Sequence, residues 1–169
     1  MGMIACYMEA DSDLIEELKS KSEEDLFEEI EELADEGELE TYDMDKMWDG
    51  LHFILTGTSA ATPIENHLLS EAIVGTAMFS DDESADFISY IYPERLSEIL
   101  DALNDFDMDN AVADFSPRVL AQNGIYPTMI WNEKEKDGLK GELVTAFNEL
   151  KQFFTAMNKR DKGIIVSIY

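Results

Sequence analysis

The chain has one cysteine, two histidines, four prolines and only 12 basic residues among 169. Each scarcity removes a class of protein. The lone Cys6 forms no internal disulfide and suits a reducing compartment. Two histidines and one cysteine do not make a structural zinc site unaided. No run approaches the about 18 consecutive apolar residues of a transmembrane helix. The chain does not open on a basic segment followed by a long apolar stretch, so no secretory signal is read and a cytoplasmic location is expected. The few bases face 38 acids, for a net charge of −26. Such a field repels phosphate backbones and anionic lipid surfaces, so neither nucleic acid nor membrane is expected as a partner.

What is present points to a folded domain. Hydrophobic residues make up 45% of the chain, too many for disorder despite the charge. The length suits one domain, residues 1–169, with a sizeable core. The acidity is uneven. Residues 1–49 hold 19 acids and three lysines, net −16, while residues 50–169 hold 19 acids and nine bases, net −10. Ser22-Glu23-Glu24-Asp25 resembles a capping box and opens a helix to about Ala34. Leu26, Phe27, Ile30 and Leu33 share one side of it, which leaves Glu28, Glu29, Glu31 and Glu32 for solvent. These four are the candidate contacts for a basic protein partner, as in a toxin-neutralising or inhibitor role. Solubility alone is the plain alternative.

Three strands are expected, at Met3–Met8, Phe87–Tyr92 and Gly163–Ile168. Helices are expected from Asp11 or Ser12 to about Lys19, at 22–34, at 46–55 and at about Asn66–Val74. Others follow from Pro93 to about Leu103, from Ser116-Pro117 to Gly124, and over about Gly138–Asn158. Asp45 is the expected N-cap of the 46–55 helix and Gly57 its stop. The fold class is therefore α+β: a small sheet holding both terminal strands, packed with about six helices.

Between Asp49 and Glu65 no residue is charged. That run holds His52, and Trp48 and Asp49 precede it. Asp49 and His52 stand three apart, on neighbouring helix faces, where a carboxylate could orient an imidazole as a general base. Thr56, Thr58, Ser59 or Cys6 would supply a hydroxyl or thiol, though none lies in a nucleophile motif. A second uncharged island, 119–132, carries Tyr126 and Trp131. Trp48, Thr56, Ser59, Tyr126 and Trp131 are thus candidate ligand-binding residues, with Asp49 and His52 as catalytic candidates. The competing reading makes the whole block a polar cluster inside the core. Asp105-Phe106-Asp107-Met108-Asp109-Asn110 begins like a calcium loop, but Ser116 stands where the bidentate Glu is needed. No metal or cofactor is expected.

The same block carries a resemblance. Asp45-Lys46-Met47-Trp48-Asp49-Gly50-Leu51-His52-Phe53-Ile54-Leu55-Thr56-Gly57-Thr58-Ser59 resembles the signature of the YfbM-like family of small bacterial proteins, a domain of unknown function. Met1-Gly2-Met3-Ile4, the segment Leu68 to Gly75 and Ile125-Tyr126-Pro127 agree with it. The resemblance implies a single-domain bacterial protein of about this length. It brings no activity, cofactor or catalytic residue with it.

Overall fold

The computed structural model describes residues 2–169. Its centre is the pairing of the first and last strands. β1 (Ala5–Ala10) runs antiparallel to β5 (Gly163–Ile168), in register from Ala5 opposite Ile168 to Ala10 opposite Gly163. β4 (Phe87–Ile91) pairs with the other edge of β5. Two short outer strands, β2 (Thr41–Asp45) and β3 (Ala77–Met78), complete an antiparallel sheet of order β2-β1-β5-β4-β3.

β5 is buried along all six residues because helices cover both faces of the sheet. Alternation along the strands decides which face each side chain joins. Ile165, Met8 and Ala10 pack with Ile15 and Leu18 of α1 (Ser12–Lys19) and with Leu26 and Ile30 of α2 (Glu23–Glu36). Tyr7, Ile164, Val166 and Ile168 point into the larger core on the other face. That core is built with α3 (Trp48–Thr56), α4 (Leu68–Val74), α5 (Pro93–Asp105), α6 (Met108–Ala111), α7 (Pro117–Gln122) and α8 (Lys136–Lys159). A 3-10 turn at Glu133–Glu135 leads into α8. Among the described residues no helix is long and apolar enough to cross a membrane.

The α+β class and the shared sheet of the terminal strands stand as expected. The element count is higher: eight α-helices and five strands among the described residues, against about six helices and three strands. The added strands carry little sequence signal. β3 has two residues, and Thr-Tyr-Asp-Met-Asp of β2 puts acid, not β-branched residues, at the sheet edge. Asp45 does not cap α3. It ends β2 with φ 56°, and α3 begins after Met47 with no side-chain cap. Gly57 does end α3, in the left-handed conformation at φ 81°. Part of the 105–110 segment is helical. Asp107 accepts from the Asn110 amide and caps α6.

α8 lays Leu139, Leu143, Phe147, Leu150, Phe154 and Met157 against the core. Its outward side holds Gly138 and Gly141, where a Cβ would find nothing within 4 Å. Glycine inside a helix costs about 1 kcal/mol relative to alanine. Nothing in this chain offsets that cost, so Gly141→Ala should stabilise the fold by about 1 kcal/mol in urea unfolding. No gain, or a loss, would mean that this position is packed.

Candidate functional site

Asp49 lies in the first turn of α3 with 3% of its surface exposed. Its Oδ1 accepts from Ser59 Oγ at 2.9 Å and from the Ala60 amide at 2.7 Å. Its Oδ2 accepts from the Tyr126 amide at 2.7 Å. The helix dipole favours a negative charge at this end, and the charged acceptor strengthens each bond. One carboxylate thereby holds α3, the turn after it, and the second uncharged island together.

His52, one turn later, is fully buried. Its Nδ1 lies 2.8 Å from the Thr58 carbonyl oxygen. A carbonyl only accepts, so Nδ1 carries the proton and Nε2 is left as an acceptor. Ser70 Oγ, 2.8 Å away, donates to Nε2 and accepts in turn from the Ile64 amide at 3.0 Å. Burial pushes the His52 pKa below its ordinary value, the Thr58 bond and Asp49 charge pull it back, and His67 lowers it. The imidazole is a neutral crosslink between α3 and α4.

The expected contact between Asp49 and His52 is not formed. Among the described residues no hydrogen bond joins their side chains: Asp49 bonds Ser59, Ala60 and the Tyr126 amide, while His52 bonds Thr58 and Ser70. The two uncharged islands do meet. Trp48 stacks on Tyr126 with ring centroids 5.4 Å apart, and its Nε1 donates to the Met3 carbonyl at 3.2 Å. Trp131 Nε1 donates to the Ile125 carbonyl at 2.8 Å. The Trp131 ring lies so close to α3 that a Cβ on Gly50 would sit 2.6 Å from it. Thr56 Oγ1 donates to the His52 carbonyl at 2.8 Å, and Ser59 serves Asp49. The polar groups of this cluster thus bond within the protein.

A groove of about 620 Å³ runs beside the cluster rather than into it. Met47, Pro127 and Ile130 reach it, but Trp48, Asp49, His52 and Tyr126 do not line it. Cys6 stands elsewhere, in β1, with Sγ 3.6 Å from Tyr169 Oη. Burial, with Asp43 and Asp45 nearby, raises its thiol pKa, opposite to an activated nucleophile. On α2, Glu28, Glu31 and Glu32 are exposed. Glu29 is half-buried and bonds Lys21 at 3.1 Å. The sequence reading missed Ser70. It stands 18 positions from His52, and no local pattern links the two.

The chain matches the model of the family described as "Domain of unknown function (DUF1877)" over residues 1–167. It belongs to the DUF1877 family. Protein YfbM of Escherichia coli strain K12 is 34% identical over 168 residues, covering 99% of each chain. A crystal structure of YfbM from Escherichia coli, described there as a protein of unknown function, superposes with a TM-score of 0.78. That match has 28% identity and covers 98% of this chain and 99% of the other.

Two outcomes test this reading of the DUF1877 cluster. Asp49→Ala strands the buried Ala60 amide and the Tyr126 amide, and should cost about 3 kcal/mol or more in urea unfolding. A loss below about 1 kcal/mol would remove Asp49 as the clamp. The folded-state pKa of His52 lies below its unfolded value. Its stabilising effect is therefore complete above the unfolded pKa and declines as pH falls through that value toward the folded one. The stability gap between the native chain and His52→Gln should shrink from about pH 7.5 to about pH 5.5. A constant gap would mean that His52 is not held neutral.

Proposed function

We propose that this DUF1877 protein is a non-enzymatic binding protein whose acidic surface engages a basic protein partner. A toxin-neutralising or inhibitory role would use such a surface. The observation that carries the reading is the excess of unpaired acid. Among the described residues, seven of 38 acidic residues take part in salt bridges. Glu28, Glu31 and Glu32 on α2 are exposed and outside those pairs. Such a field steers a basic protein into encounter and discriminates against acidic ones.

The alternative is a small-molecule-binding protein or enzyme with a pocket around Asp49, His52, Trp48 and Tyr126. It has less support. The first three are buried, Tyr126 is half-buried under Trp48, and their polar groups already hold the loops around them.

Reversing Glu28, Glu31 and Glu32 to Lys tests the reading by crosslinking and mass spectrometry in bacterial cells. The native chain should yield a basic protein joined near α2, and the variant should lose it. The captured complex should also weaken as salt rises. The same crosslinked proteins from both chains would sink the proposal.

A further inference from the structure

β2 is an outer strand of the sheet, paired among the described residues with β1 alone. The 620 Å³ groove lies between β2 and α8. A second hollow, sharing Tyr42, Asp43 and Glu149 with the first, extends the channel toward Glu40. The channel is acidic: Glu40, Asp43, Asp45, Glu142 and Glu149 line it, against Lys46 alone. Across the sheet, Glu31 of α2 shares a smaller cavity with Thr41 and Asp43. The edge of β2 therefore lies between the acids of α2 and those of α8.

We propose that this edge receives an extended, lysine- or arginine-rich segment of the partner, added antiparallel or parallel as a sixth strand. The inference rests on the acidic-surface reading above and names where and how the partner docks. An unpaired strand edge offers backbone donors and acceptors to an incoming chain. Basic side chains on that chain would face Asp43 and Asp45 across the strands and Glu142 and Glu149 across the groove. A segment of five residues matches the length of β2.

Gly138 and Gly141 supply an independent observation. Both line the groove from α8, and neither is made necessary by contacts within this chain. Glycines there leave room for a second backbone beside the helix. The charge argues against a second copy as occupant, because two such edges would bring Asp43 and Asp45 against their own equivalents.

The test uses the full chain and two synthetic heptapeptides of alternating Lys and Val, one plain and one N-methylated at every residue. The plain peptide should bind at low ionic strength and slow hydrogen exchange at residues 41–45. The N-methylated peptide, equal in charge but unable to donate backbone hydrogen bonds, should bind about tenfold more weakly or worse. Asp43→Lys and Gly141→Leu should each weaken the plain peptide while leaving the thermal melt cooperative. If both peptides bind equally, strand addition is overturned while the acidic-surface reading stands. If neither binds, strand addition is overturned, and the crosslinking at α2 alone decides the acidic-surface reading. If sedimentation shows a dimer closed through β2, a basic segment is not the occupant.

Discussion

The carboxylate of Asp49 is the bond on which the block's geometry depends. Buried in the first turn of α3, it collects the Ser59 hydroxyl and the Ala60 and Tyr126 amides. Removing a charge from water is costly, and the cost is offset only where donors converge on it. These donors come from segments that would otherwise have no reason to meet. With Asp49 in place, the turn after α3 folds back, and Thr58 is delivered to His52. Ser70 and the Ile64 amide then close the other side of the imidazole. The aromatic contacts follow the same anchor, since Tyr126 under Trp48 is the residue whose amide Asp49 holds.

In this arrangement a block with the residue types of an active site spends its polar groups on bonds within the protein. Asp, His, Ser and Thr are all present, and several hydrogen bonds are as short as those of catalytic sites. Trp48, Asp49, His52 and Tyr126 do not line the neighbouring groove. His52 and Ser70 are both fully buried, and Ser70 Oγ already accepts from a backbone amide. Polar satisfaction here is complete: among the described residues no buried side-chain nitrogen or oxygen lacks a partner. A network in that condition rigidifies the core and fixes one packing of it.

The sequence disclosed the elements whose signal is local. Ser22 does accept from the Asp25 amide, and the apolar stripe of α2 does face the sheet. Gly-Ile-Ile-Val-Ser-Ile is buried on both faces, and its unbroken apolar character announces that. β2 escaped notice because its inward residues, Tyr42 and Met44, alternate with acids and give no β-branched run. The candidate site was legible in membership but not in wiring. Three-residue spacing put Asp49 and His52 on adjoining helix faces. It could not show that Asp49 bonds a backbone amide 77 positions away while His52 turns to α4. Such partners are set by tertiary packing, and only the islands' shared lack of charge foretold their meeting.

The charge itself is the remaining physical problem. A net charge of magnitude about 2 to 8 already keeps a small domain soluble. This chain carries −26, with −16 of it in residues 1–49. Those residues are β1, α1, α2, β2 and the start of α3; α1 and α2 pack on one face of the sheet, and β2 is its outer strand. Repulsion among so many like charges opposes the compact state. Arg160 relieves part of it by bonding Glu9 and Glu40, and Lys21 relieves Glu29. Asp43, Asp45, Glu142 and Glu149 have no such partner among the described salt bridges, and they line the groove between the outer strand β2 and α8. Charge on an edge strand ordinarily prevents pairing with other chains. Single-sign charge does so selectively: it refuses acidic strands and copies of itself, and leaves basic strands as the ones whose pairing lowers the energy. On the docking proposed above, an edge guarded in this way is closed to most chains and open to one chemical class.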